Sequence, residues 1–205
     1  MEKNRYEIAF ERYLRSIRRP YLSNRQERRF LLPDGGTLKN FDDVVQRPSG
    51  EAWIVDVKGR LFPSGRRSRR YWKNWTTRDD LLGLLRWEEI LNAGGRQYRD
   101  RSAFVFAYRV VGERLPLPAE RLFHDRGELF AFFVVPVKTY LGEARLVSPR
   151  WNAYEIPAPR FRAIAQPVDE FFGDAPVRDD YVPLPSAHAF ALAQAVSTPL
   201  RLALS

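Results

Sequence analysis

Apolar residues recur at spacings of three and four near the start of the chain, at Tyr6, Phe10, Tyr13, Leu14 and Ile17. That period predicts an amphipathic helix over residues 6–18, ended by Pro20. Glu7 and Glu11 stand one turn apart beside the stripe. Residues 21–22 and 29–32 read as extended chain, and Pro33-Asp34-Gly35-Gly36 as a turn. Two β-type runs follow, at 38–45 and 52–58, joined by Arg47-Pro48-Ser49-Gly50-Glu51, whose turn residues make the pair a hairpin. The helical period returns over 81–91, where Thr76 or Thr77 can cap, Asp79 and Asp80 suit the positive end of the dipole, and Gly94-Gly95 closes the helix. Glu88 and Glu89 fall on its solvated side.

Residues 103–111, apolar except for Arg109, and residues 129–137 read as strands covered on both faces. The stretch between them, 116–127, reads as a loop or short helical turn holding His124. Ser148-Pro149-Arg150-Trp151 and the prolines at 157 and 159 predict an extended segment docking over the core, followed by a short helix that packs Val168, Phe171 and Phe172. The expected fold is α/β, a mixed central sheet flanked by helices, with one domain over 1–172. Residues 173–205 read as a flexible tail, within which 189–196 can turn helical.

With 205 residues and 44% hydrophobic content the chain can fill one core. It has no cysteine, which excludes disulfides and thiolate metal sites and suits a reducing cytoplasm. No stretch approaches the roughly 18 apolar residues of a membrane span, and none behind the N-terminus reads as a signal core. The formal charge of +9 points to a polyanionic partner, nucleic acid ahead of a membrane. Arg60, Arg66, Arg67, Arg69, Arg70, Lys73 and Arg78 supply 7 positive charges over 60–78 with no acid between them. Trp72 and Trp75 lie among them. Such a loop can neutralise phosphates while its rings stack on bases, with Arg60, Arg66, Arg67, Arg69, Arg70, Trp72, Lys73 and Trp75 as the contacts. It can equally be a basic loop whose tryptophans anchor it to the core.

The candidate chemistry lies in Asp56-Val57-Lys58. Residues two apart share one face of a strand, so a carboxylate and an ammonium stand together, with Asp42 one strand away and an acid on the first helix. Carboxylates can hold a hard cation such as Mg2+, and a nearby lysine can orient a water or offset developing charge. An Asp-x-Lys pair also reads as a structural ion pair on an edge strand.

The order of helix with acid, strand, acid-bearing strand, Asp-Val-Lys strand, helix and strand resembles the PD-(D/E)xK superfamily of restriction-endonuclease-like nucleases. It looks closest to its small Holliday-junction-resolvase-like and HYAIID-type members, over roughly residues 4–111. The resemblance implies an αβββαβ core and a Mg2+- or Mn2+-dependent endonuclease acting on DNA. Its helix-one glutamate falls on Glu7, with Glu11 the alternative, and its first metal aspartate on Asp42, with Asp43 second. Asp56 and the Val57 carbonyl would complete the ligands, Lys58 would position the attacking water, and a homodimer is implied. Phe41 stands where the family has proline before the first aspartate. A catalytically silent nucleic-acid-binding module on the same fold is the other reading.

Overall fold

A computed structural model describes residues 4–24, 30–31, 37–65, 68–93 and 101–173. In chain order they form α1 (Arg5–Ser16), β1 (Tyr21–Ser23), β2 (Phe30–Leu31), β3 (Thr37–Leu38), β4 (Asp43–Gln46), β5 (Ala52–Phe62), β6 (Thr76–Thr77), α2 (Arg78–Ala93), β7 (Ser102–Val110), β8 (Phe123–Asp125), β9 (Glu128–Pro136), α3 (Val137–Glu143), β10 (Arg145–Ser148), β11 (Ala153–Glu155), α4 (Ala158–Ile164), β12 (Gln166–Pro167) and α5 (Val168–Phe171). Among these residues the main sheet has seven strands, in the order β1-β4-β5-β7-β9-β12, with β8 also on β9. β5 and β7 are parallel and the other pairings antiparallel, so the α/β fold rests on a mixed, mostly antiparallel sheet flanked by helices.

Strand alternation divides the core into two layers. On one face Val55 and Val57 of β5 and Ala103, Val105 and Ala107 of β7 meet Phe10 and Leu14 of α1, with Phe171 and Phe172 at the end of α5. On the other, Ile54, Phe62, Phe104, Phe106 and Tyr108 meet Leu81, Leu84 and Leu85 of α2 and Tyr140 of α3. β7 and β9 are therefore covered on both sides, as their unbroken apolar runs predict. The first helix opens with a capping box in which the Asn4 side chain accepts from the Tyr6 and Glu7 N–H groups and Glu7 returns a bond to the Asn4 N–H. It ends two residues earlier than predicted, because Arg18 turns left-handed at φ 55°.

Several expectations are corrected. The run over 38–45 is not one strand: β3 pairs with β2 in a separate hairpin, and the chain then turns toward α2, whose Trp87 indole donates to the Lys39 carbonyl (2.8 Å). The 116–127 stretch holds the short helical turn, at Ala119–Arg121, but also contains β8, which carries His124. Pro157 and Pro159 lie at the start of α4 rather than in an extended segment, since proline fits the first turn of a helix. Glu88 is not solvated but buried, accepting from the Ser102 N–H (2.8 Å) and hydroxyl and so fastening α2 to the start of β7. No helix among the described residues is long and apolar enough to cross a membrane. The Gly35-Gly36 turn, the Gly94-Gly95 helix end and the tail from 174 onward lie outside the described residues.

The end of the basic stretch is tied to a second sheet, ordered β10-β11-β6. Asn74, fully buried, donates to the Trp72 and Ile156 carbonyls (both 2.9 Å) and accepts from the Ile156 N–H (2.8 Å). Asn74→Ala strands three backbone groups at once, and each buried unsatisfied group costs about 1–3 kcal/mol. Chemical denaturation should show a loss of roughly 2–4 kcal/mol; a loss within 0.5 kcal/mol would mean that water replaces the side chain.

Candidate functional site

The geometry begins where β4 leaves β5. The last ladder bonds place Asp43 opposite Val55, and the Asp42 N–H donates to the Val55 carbonyl (3.0 Å). Beyond that point the Val57 N–H has no backbone of β4 to meet, and the Asp42 carboxylate takes its place as acceptor (2.6 Å). Asp42 is thereby held at the edge of β5 and is 4% exposed. Asn24 donates to both the Asp42 and Phe41 carbonyls from the β1 side, fixing the strand that carries it.

Asp56, Lys58 and Arg60 share the α2 face of β5, flanked by Ile54 and Phe62 in the apolar layer. The Lys58 ammonium bridges Asp56 (2.8 Å) and Asp80 (3.1 Å) and lies 5.7 Å from the centre of the Phe104 ring. Burial pulls the Lys58 pKa down, but the two carboxylates outweigh it and the net shift is upward. Asp80 sits in the first turn of α2 in a reciprocal cap, accepting from the Thr77 N–H (3.0 Å) while its own N–H donates to the Thr77 hydroxyl (3.2 Å). The Thr76 hydroxyl (3.0 Å) and Lys39 complete its partners. Burial would raise Asp80, but Lys58 and Lys39 drive it well below the usual carboxylate range.

Glu7 approaches from the α1 layer and is 5% exposed. A close contact carries it there: the Tyr6 ring lies flat on Gly59, where a Cβ would fall 2.2 Å from a ring carbon. Only glycine lets the start of α1 approach the Asp-Val-Lys strand this closely. Both Glu7 and Asp56 raise the pKa of Asp42, so the acids of the first helix, the β4 edge and β5 converge electrostatically on one carboxyl. Burial is the largest cause and Asp56 the next, against the Val57 N–H and Lys58, and Asp42 is pushed up to about 8. Glu11 turns elsewhere, to Arg15 (3.5 Å) and the Tyr21 hydroxyl. Asp43, next to Asp42 in the chain, is fully buried on β4.

Among the described residues no three His, Cys, Asp or Glu side chains form a group that could hold a metal ion. The donors are nonetheless hard oxygens, and Mg2+ is commonly held by one or two carboxylates with water in its other positions. Asp42 and Asp56 meet that requirement in kind, and Asp42 carries the electrostatic stress that a cation would relieve.

The expected nucleic-acid contacts separate. Arg60 belongs to the strand rather than the loop: its guanidinium donates to the Gly59 carbonyl (2.7 Å) and the Trp75 carbonyl and lies 4.3 Å from the centre of the Trp75 ring. Trp72 packs its ring inward and is half-buried. Its backbone is left-handed (φ 60°), and its ring falls between Phe62, Tyr108 and Phe133 at 5.1–5.7 Å, because a vacant aromatic niche in the core outcompetes solvent. Lys73 is half-buried, and its carbonyl accepts from the Tyr108 hydroxyl (3.2 Å). Arg69 and Arg70 are exposed, Arg70 pairing with Glu155 (3.3 Å). Arg66 and Arg67 lie outside the described residues.

Asp80 is the site residue that sequence reasoning leaves among helix-capping groups. Its only signal is Thr77-x-x-Asp80, which gives the cap and not the partner, since Lys58 lies on another element. No protein-family model matches the chain, and a comparison with curated proteins finds no match.

Proposed function

We propose that the chain is a metal-dependent nuclease of the restriction-endonuclease-like type, hydrolysing DNA phosphodiester bonds at Asp42, Asp56, Lys58 and Glu7. The observation that carries the reading is the convergence on Asp42: a buried carboxyl pressed by Asp56 and Glu7, with Lys58, itself paired to Asp56 (2.8 Å), acting on it in the opposite sense. The element order adds support, since α1, β1, β4, β5, α2 and β7 follow the αβββαβ sequence with β5 and β7 parallel.

Asp42 and Asp56 would hold Mg2+ or Mn2+, with the Val57 carbonyl and Glu7 contributing. A bound cation of this kind supplies Lewis-acid polarisation of the phosphate and a water that ionises near neutral pH. Lys58, fixed between Asp56 and Asp80, presents a cation of fixed position to a phosphate oxygen and offsets the charge that builds there as the water attacks. Arg69 and Arg70 provide exposed positive charge for the flanking phosphates. By the same resemblance the working unit is a homodimer, which sedimentation of the full chain tests.

The double pairing of Lys58 favours a second reading, a nucleic-acid-binding module in which the ion pairs are purely structural. The two part company in one experiment. Purified protein is incubated with supercoiled plasmid, single-stranded, branched and RNA substrates in Mg2+, Mn2+ and EDTA. The nuclease reading expects cation-dependent cleavage that Asp56→Ala abolishes while retention of DNA persists. Retention without cleavage of any substrate would leave the binding module.

A further inference from the structure

We infer that the β10–β11 connection, with Trp151 at its tip, is a stacking platform for an unpaired nucleic-acid strand, distinct from the basic loop. Trp151 is 68% exposed, whereas Trp53 and Trp87 are buried and Trp72 and Trp75 half-buried. A tryptophan ring left in water costs hydrophobic free energy that neighbouring niches recover for the others. The Arg150 guanidinium lies 5.3 Å from the centre of its ring. Asn152 next to it is left-handed (φ 44°, ψ 42°), which turns the chain sharply after the aromatic residue.

The surroundings suit a polyanion with apolar bases. Leu146 and Val147 are exposed on β10, between Arg145 and the Arg150–Trp151 pair. Arg145 stands opposite Glu155 in the strand register, and Glu155 in turn takes Arg70 of the basic stretch. Arg145 at the base of the β10–β11 hairpin and Arg150 at its tip therefore bracket the exposed Leu146 and Val147 along the chain, and Glu155 among them is already paired with Arg70. Charge repels a second copy of the same arginine-rich face and attracts phosphate. Bases of an unpaired strand offer π-faces for Trp151, whereas in a duplex those faces are stacked on each other.

The platform is also joined to the candidate site. The Arg78 N–H, at the first residue of α2, donates to the Asn152 carbonyl (2.9 Å), and β6 pairs with β11 through Thr76 and Thr77. Two residues beyond Arg78 is Asp80, which grips Lys58. A strand stacked on Trp151 would thus enter beside the first turn of α2. The inference takes from the proposed function only its polyanionic partner, and it holds whether or not cleavage occurs.

The test is oligonucleotide binding by the full chain in EDTA, so that cleavage plays no part. A fluorescein-labelled 15-nucleotide single strand and the matching duplex are titrated at about 50 and 200 mM salt, where phosphate contacts remain measurable. Trp151→Ala is expected to weaken single-strand binding roughly five- to thirty-fold and duplex binding less than two-fold, with Trp151→Phe retaining most of the affinity. Equal losses on both ligands, or no loss on either, would overturn the platform. So would unchanged binding accompanied by a fall in self-association of Trp151→Ala on sedimentation, which would make the tip a contact between copies. Failure of metal-dependent cleavage with these binding results intact would count against the nuclease alone.

Discussion

Asp42→Asn is expected to stabilise the protein at alkaline pH in buffer without divalent cations, although it alters a central residue of the candidate site. Burial, Asp56 and Glu7 push the folded carboxyl up to about 8, whereas in the unfolded chain it titrates near 3.8. Between those limits the folded form holds a proton that the unfolded form has released, so stability falls as pH rises through the window and the full penalty is present above it. Asparagine cannot ionise and still accepts from the Val57 N–H, so it removes the penalty and keeps the contact. At about 1.4 kcal/mol per pKa unit, and allowing for relaxation of a crowded site, the gain at pH 8.5 should be roughly 2–4 kcal/mol. For a chain of this size that corresponds to about 5–10 °C in melting temperature. At pH 4 the two proteins should melt together. Saturating Mg2+ should raise the wild-type melting temperature and leave Asp42→Asn unmoved, because binding to the folded state alone stabilises it. A wild-type melting temperature that is flat from pH 5 to 8.5, with no gain in the variant, would remove the electrostatic basis of the site.

Lys58→Met should lower cleavage by about two to three orders of magnitude while oligonucleotide affinity in EDTA changes less than three-fold, the loss expected when one preorganised positive group is taken from a transition state. Methionine keeps the length of the stem but leaves Asp56 and Asp80 without their shared cation, so its folding should be checked by thermal melting before activity is read. Lys58→Arg, which retains the charge, serves as the folded control. Asp80→Asn is the companion variant, because Asp80 acts through Lys58 as a positioning residue. Asp80 is among the groups that raise the Lys58 pKa, so its neutralisation should move the alkaline limb of the rate profile to lower pH with a rate loss of about ten-fold. A profile displaced in the other direction, or a rate loss in Lys58→Met matched by lost binding, would assign the lysine to holding the structure.

Much of this site could be read from local pattern. Asp56 and Lys58 share a face because strand geometry allows nothing else for residues two apart, and Asp42 falls within a β-run that a Pro-Ser-Gly turn folds against them. Glu7 was open against Glu11 until packing decided it. The Tyr6 ring seats on Gly59 and turns that end of α1 toward β5, whereas Glu11 faces Tyr21. Trp72 and Trp151 show the same limit from the other side. Both are tryptophans beside arginines, yet one meets Phe62, Tyr108 and Phe133 while the other meets solvent. Local sequence carries no record of which niche a ring will find, because the niche is built from strands far along the chain.

By itself the sequence determined α1, α2, β5, β7 and β9, the two-sided burial of β7 and β9, and the placing of a carboxylate and an ammonium on one strand face. Those follow from periods of 3.6 and 2 and from short turns, all of them local. Tertiary structure alone decided that Asp80 grips Lys58, that Arg60 reaches the Trp75 carbonyl, and that Asp42 replaces a missing strand as the acceptor for Val57. Each of these joins residues from different elements, and their charges interact strongly only because folding has removed the water between them.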